Sequence, residues 1–246
     1  MVLTVSMGIS GQEPGLKDKR ITIQMTDKPL ITVFARLMYK YDVAIGFEES
    51  DLDRDHRHYE FETNVPSTDE SKVMYGGDKE YSHQHSSALG TKPRKNLITV
   101  NFKDAKLEQV MDEIVKQMQN YDWRISDDVV NIFPIRGRDE RLKKLLDIKV
   151  RDFAVGMGAD VGSIQAQLML FLPEFKKFVT ENKLEADTGR LTFNFSERIL
   201  PDGMRFHDKT FKELLNAITK SKRGGWIIKI KKHESKPDKE FIEILI

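Results

Sequence analysis

The sequence contains no cysteine among its 246 residues, which excludes disulfides, thiolate metal sites, iron–sulfur clusters and cysteine nucleophiles. It also lacks any apolar run near the roughly 20 residues that a membrane helix needs, so we expect no membrane span. Neither charge sign is in excess, because 40 Lys and Arg face 39 Asp and Glu. This balance argues against attraction of the whole chain to nucleic acid or to an anionic membrane.

Motifs of common enzyme classes are missing as well. There is no Gly-x-Ser-x-Gly elbow, no Walker phosphate loop and no strand-linked Gly-x-Gly-x-x-Gly. Apolar residues nevertheless make up 39% of the chain, enough to bury a core. We therefore expect a folded protein without catalytic activity and without a cofactor.

The N-terminus is open to two interpretations. Residues 1–12 are mildly apolar and end in small residues, as the tail of a secretory signal does, but a positively charged start is missing. Residues 1–19 are predicted to be a flexible terminus or the remnant of a signal peptide. A signal-peptide remnant would imply a periplasmic or exported protein, whereas a flexible terminus would fit a cytoplasmic one.

Three segments share one pattern: an alternating strand, an Asp, and an apolar residue three positions later that opens a helix. They begin at Ile21, Ile98 and Met204. Each helix carries apolar residues at 3.6-residue spacing, which places them on one face, ready to cover a sheet. The stripes comprise Leu30, Val33, Phe34, Leu37, Met38 and Tyr41; Leu107, Val110, Met111, Ile114, Val115 and Met118; and Phe211, Leu214, Leu215 and Ile218.

The starts of these helices carry polar residues with a structural explanation. Thr210 and Glu213 have the spacing of a capping box. Asp27, Asp104 and Asp208 recur at one position of the pattern, which could suggest catalysis. A carboxylate before a helix accepts backbone N–H bonds and faces the positive end of the helix dipole, so we interpret them as helix caps.

The repeated pattern predicts an α+β protein of two repeats. Each combines a strand–helix–strand unit with a strand–helix–strand–strand unit, and the helices pack on small mixed sheets. The domains are predicted at residues 20–135 and 145–246, on either side of a charged run at 136–144. A polar, disordered insertion is predicted at 49–96. In the second domain, Pro173 should interrupt a helix, and a strand is predicted at 191–195.

Residues 20–48 joined to 97–135 resemble the short N-terminal domain of secretins and TonB-dependent receptors. The features that carry the resemblance are Ile21-Thr-Ile-x-Met25-x-Asp27-x-Pro29-Leu30, Ile98-Thr-Val-Asn-Phe102-Lys-Asp104-Ala-x-Leu107-Glu108 and the hairpin from Trp123 to Ile132. Residues 145–246 resemble a diverged second copy. The resemblance implies a periplasmic protein-docking module of two helices on small sheets, without catalytic residues.

The leading hypothesis is therefore a cell-envelope docking module that adds a partner's strand to an exposed sheet edge. The terminal strand, residues 241–246, is predicted to be such an edge, together with the basic strand before it. The alternative is a nucleic-acid binder that uses the basic C-terminal hairpin, although strand alternation favours an inward Trp226. The predicted partner-binding residues are Trp226, Lys229, Lys231, Lys232, Ile242 and Ile244.

The insertion holds one candidate metal site, which would support a third hypothesis, a metal-dependent enzyme. His56 and His58, with His83 and His85, have alternating spacing that could place imidazoles on one side of a strand for Zn²⁺ or Ni²⁺. The alternative is a polar loop with scattered histidines. The surrounding composition favours the loop, and no metal is predicted.

Overall fold

The structure is a computed structural model, and it describes residues 15–53, 97–187, 202–233 and 236–246. These residues form an α+β fold with helices packed on mixed sheets, which confirms the predicted fold class. The strands are β1 (Arg20–Pro29), β2 (Ile45–Glu48), β3 (Leu97–Lys106), β4 (Tyr121–Ser126), β5 (Val129–Pro134), β6 (Lys149–Val155), β7 (Leu184–Ala186), β8 (Met204–Thr210), β9 (Gly225–His233) and β10 (Lys236–Leu245). The α-helices are α1 (Leu30–Tyr41), α2 (Leu107–Met118), α3 (Glu140–Asp147), α4 (Val161–Ala166), α5 (Pro173–Glu181) and α6 (Phe211–Lys222).

A six-stranded sheet in the order β4-β5-β2-β9-β10-β7 runs through the molecule, beside two antiparallel pairs, β1–β3 and β6–β8. The groups β4-β5-β2 and β9-β10-β7 have the same pairing, because an antiparallel hairpin is followed by a parallel strand in each. Parallel pairing of β2 with β9 joins the groups. One sheet therefore crosses both predicted domains; that its halves are copies of one unit stays a prediction.

The six-stranded sheet separates two apolar cores. Neighbouring residues of β9 point to opposite faces, as the two-residue period of a strand requires. Ile227 belongs to the core beneath α1 and α2, whereas Trp226 and Ile228 belong to the core that α6 covers. The sheet is consequently buried on both faces where the halves meet.

The predicted helix stripes form these cores. Leu37 on α1, Ile114 on α2 and Leu214 on α6 are fully buried, as amphipathic spacing predicts. The capping box of α6 is also confirmed: the Glu213 N–H donates to Thr210 Oγ1 at 3.2 Å, and the Thr210 N–H donates to Glu213 Oε2 at 2.7 Å.

The prediction that the three recurrent aspartates cap helices is wrong. Asp27, Asp104 and Asp208 lie inside β1, β3 and β8 and adopt the left-handed conformation, with φ of 50°, 52° and 50°. Asp tolerates this region better than most residues. Shifts in the β1–β3 pairing lie next to Asp27 and Asp104, as β-bulges produce. The helices are instead preceded by the N-cap residues Pro29, Lys106 and Thr210.

The charged run at 136–144 is not a simple connection, because α3 begins within it. Leu142, Leu145 and Leu146 are buried in the second core. The Asp139 carboxylate caps this helix by accepting the Arg141 N–H at 2.8 Å. The spacing of the three leucines is helical, but they lie among charged residues that suggested a boundary.

Elsewhere in the second half, one prediction is confirmed and one falls outside the described residues. A π-helical turn (Gln167–Phe171) follows α4, and α5 then starts at Pro173, so the proline interrupts the helix as expected. The strand predicted at 191–195 lies outside the described residues. β7 stands earlier in the chain and pairs with β10.

The ends of two predicted flexible segments belong to the fold. Ser50 is buried, and its N–H donates to the Tyr121 hydroxyl at 3.0 Å, so the predicted insertion at 49–96 begins within the fold. Near the N-terminus, a short 3-10 helix (Leu16–Asp18) is held by an ion pair of 2.7 Å between Asp18 and Lys106. No described helix combines the length and apolar character of a membrane span.

Candidate functional site at the outer edge of the six-stranded sheet

The predicted edge position of the C-terminal strand is wrong. β10 lies between β9 and β7, and β9 lies between β2 and β10. β7 pairs with Glu240–Ile242, and beyond it the Ile244 carbonyl accepts a hydrogen bond from the Gln165 side chain. The predicted binding residues Trp226, Lys229, Ile242 and Ile244 are accordingly buried. The sequence did not reveal this because β7 is only three residues long and pairs with β10 in parallel from a distant position in the chain.

Trp226 has a structural role in the interior. Its side chain is fully buried, and its indole Nε1 donates to Asn216 Oδ1 on α6 at 2.9 Å. The ring also lies against Gly46 of the neighbouring strand β2. Trp226 is therefore not available to stack on a nucleic-acid base.

The lysines of β9 are largely neutralised by acids. Lys229 Nζ lies 2.6 Å from Glu243 Oε2, with only 8% and 2% of the two side chains exposed. Burial lowers the pKa of Lys229, and the Glu243 carboxylate opposes that shift. Lys231 lies 2.6 Å from Asp187. Lys232 is exposed, so the basic hairpin presents much less free positive charge than its sequence indicates.

One outer edge of the large sheet is β4, and the other is β7. The turn from β4 to β5 places Asp127 and Asp128 at φ of 55° and 57°, as a type I′ hairpin requires. The Ile135 N–H donates to the Asn120 carbonyl at 2.8 Å. In this register, the even-numbered residues of β4 direct their backbone N–H and C=O groups toward β5. By alternation, Trp123 and Ile125 direct their backbone groups outward, where no described strand pairs with them.

Polar and apolar side chains accompany this edge. Trp123 and Ile125 are half-buried beside the first core, and the Trp123 indole N–H donates to Asp112 Oδ1 on α2 at 2.9 Å. The backbone N–H of Trp123 donates to the exposed carboxylate of Asp122 at 2.8 Å. This local bond occupies a donor that a neighbouring strand would otherwise take.

The opposite face of the same hairpin carries a cluster around a buried carboxylate. Glu48 is 1% exposed, and Arg138 donates to its two oxygens through Nε at 2.7 Å and Nη2 at 2.9 Å. Burial raises the pKa of Glu48, and Arg138 opposes the shift. The guanidinium carbons of Arg124 and Arg138 lie 5.3 and 5.7 Å from the centre of the Phe133 ring, within cation–π distance.

Lys212, in the first turn of α6, completes this cluster. Its ammonium nitrogen is shielded from solvent and has no hydrogen-bond partner within the described residues. Burial lowers the pKa of Lys212; Glu48 opposes the shift, whereas Arg124 and Arg138 add to it. We call Arg124, Arg138 and Lys212 the basic cluster. Sequence reasoning missed it because the three residues belong to separate elements, and Arg138 stood out only as part of a charged run.

A metal centre finds no support in the described part of the chain. No group of three or more His, Asp or Glu side chains there is arranged to hold an ion. The candidate metal ligands His56, His58, His83 and His85 lie outside the described residues.

Comparison of the chain with protein-family models, curated proteins and solved structures found no match.

Proposed function

We propose that this chain is a non-catalytic docking module that binds an extended segment of a partner protein along the outer edge of β4. The observation that carries the proposal is the run of outward backbone groups at Trp123 and Ile125, which no described strand pairs. An extended peptide adds to such an edge by main-chain hydrogen bonds, and its alternate side chains supply specificity.

β4 is better suited to this than the edges of β7, β1, β3 and β8. It has six residues, whereas β7, at the far end of the same sheet, has three. In the β1–β3 pair, shifts in pairing interrupt both strands, and bulges of this kind hinder pairing with a further strand. β8 contains the left-handed Asp208. A regular edge of useful length therefore exists at β4.

The side chains of β4 define what the partner should present. Trp123 and Ile125 are half-buried apolar residues on one face, and they would contact apolar side chains at alternate positions of the added strand. Arg124 is exposed on the other face, where an acidic or polar residue is favoured. Binding also has to displace the Asp122 carboxylate from the Trp123 N–H, which opposes indiscriminate pairing.

The location in the cell envelope is part of the proposal and follows from the resemblance to the secretin and TonB-receptor domain. In that setting, a docking module would hold a partner within a larger envelope assembly. Fractionation of cells that express the complete gene tests the location separately, because a cytoplasmic result would leave the edge itself intact.

The docking surface is tested with displayed random peptides of about 10 residues, long enough to pair along β4. Binders selected on the wild-type chain are measured against Ile125→Pro and Ile125→Ala. Both variants remove the side chain, but only proline removes the outward N–H donor. We expect Ile125→Pro to bind at least about tenfold more weakly than Ile125→Ala. Equal affinities of the two variants would reject docking at this edge.

A further inference from the structure

We propose that the basic cluster of Arg124, Arg138 and Lys212 is a binding site for a phosphate monoester. The site shares Arg124 with the docking strand β4, but it lies on the opposite face of the hairpin from Trp123 and Ile125 and needs no outward backbone group.

The charge balance of the cluster is the first argument. Arg138 already neutralises Glu48 through two hydrogen bonds, which leaves the positive charges of Arg124 and Lys212. Arg124 forms no ion pair within the described residues. Asp127 is the other acid near Lys212, and its carboxylate offsets one of these two charges. The cluster therefore keeps one net positive charge, which a bound anion would balance.

The arrangement of donors is the second argument. Arg124 lies on β4, Arg138 lies between β5 and α3, and Lys212 lies in the first turn of α6, so the three cations approach from separate elements. The Phe133 ring lies within 5.7 Å of both guanidinium carbons, which limits their movement. Planar guanidinium groups offer paired N–H donors that match phosphate oxygens.

The condition of Lys212 is the third argument. A shielded ammonium without a hydrogen-bond partner is unfavourable. Glu48 attracts it, but Arg124 and Arg138 both repel it. A bound anion would accept a hydrogen bond from the Lys212 ammonium and offset the repulsion among the three positive charges. A phosphate monoester offers three strong acceptor oxygens and about 1.5 to 2 negative charges at pH 7, whereas a carboxylate has two oxygens. The monoester can therefore accept hydrogen bonds from all three cations at once.

The test is calorimetric titration of the complete chain at constant ionic strength with inorganic phosphate, glycerol phosphate, a phosphoserine peptide and acetate. We expect saturable binding of at least one phosphate compound, and at least tenfold weaker binding of acetate. The first three titrants distinguish free phosphate, a small ester and a modified protein as sources. No saturable binding of any phosphate compound, or equal binding of acetate, would overturn the proposal.

Variants assign the binding to the cluster. Lys212→Met and Arg124→Gln should each weaken phosphate binding at least tenfold, and circular dichroism checks that both fold. Lys220→Gln is the matched control on the same helix, because Lys220 is paired with Asp128, and it should retain wild-type affinity. Ile125→Pro should also retain it, which separates this site from the docking edge. Unchanged affinity in both cluster variants would contradict the assignment.

Discussion

The indole of Trp226 lies so close to the Cα of Gly46 that a Cβ placed on this glycine would stand 2.3 Å from the ring atom Cε2. The two residues face each other across the parallel pair of β2 and β9. This contact lies where the first group of strands meets the second, so the absence of a side chain at Gly46 allows the six-stranded sheet to continue through the molecule.

Gly46→Ala is therefore expected to destabilise the fold by about 1–3 kcal/mol or more, since the rigid indole must shift within a packed core. Denaturant titration measures the change in the free energy of unfolding. Gly156→Ala is the control, because a Cβ there meets no atom within 4 Å. A loss no larger than that of the control would mean that the sheet junction is loosely packed.

The buried ion pair of Lys229 and Glu243 should respond asymmetrically to substitution. Glu243→Leu leaves the Lys229 ammonium in the interior without this counter-charge, which is expected to cost about 3–5 kcal/mol. The double variant Lys229→Met/Glu243→Leu should recover part of that loss, because it removes both charges of the pair, while the buried Glu49 loses the nearby Lys229 charge. Thermal and urea unfolding of the two variants provide the comparison.

An exposed pair serves as the control for this experiment. Arg205 Nη2 lies 3.2 Å from Asp152 Oδ2, and 66% and 51% of the two side chains are exposed. Asp152→Asn should change stability by less than about 1 kcal/mol. If Glu243→Leu is equally mild, the interior position of the Lys229 pair is not energetically significant.

Lys222 should make stability depend on pH in the alkaline range. Burial lowers its pKa from an ordinary 10.5 to about 8 in the fold, so the folded state releases this proton first. Between pH 8 and 10.5 the unfolded chain binds more protons, and stability rises with pH. Relative to Lys222→Met, the wild type should gain about 2–3 kcal/mol between pH 7 and 10.5.

The stability difference between wild type and variant, measured by urea titration at several pH values, isolates this group from other titrations. A flat difference for Lys222→Met would show that its ammonium remains hydrated in the fold.

Local patterns in the sequence predicted the helix stripes, the capping box at Thr210 and the interruption at Pro173, because each depends on residues a few positions apart. The interior position of β10 was not predictable in this way, since it depends on pairing with the short strand β7. The left-handed aspartates were misinterpreted because their position before a helix resembles a cap. The basic cluster depends on tertiary structure alone, which brings Arg124 and Lys212 together.

The most direct test of docking at β4 is hydrogen exchange of two adjacent amides, with and without a selected peptide. In the free protein, the Arg124 N–H faces β5 and should exchange slowly, whereas the Ile125 N–H faces outward and should exchange fast. Saturation with the peptide should slow exchange at Ile125 at least about tenfold. An Ile125 amide that is already as protected as Arg124 in the free protein, or one that the bound peptide leaves unchanged, would contradict the account.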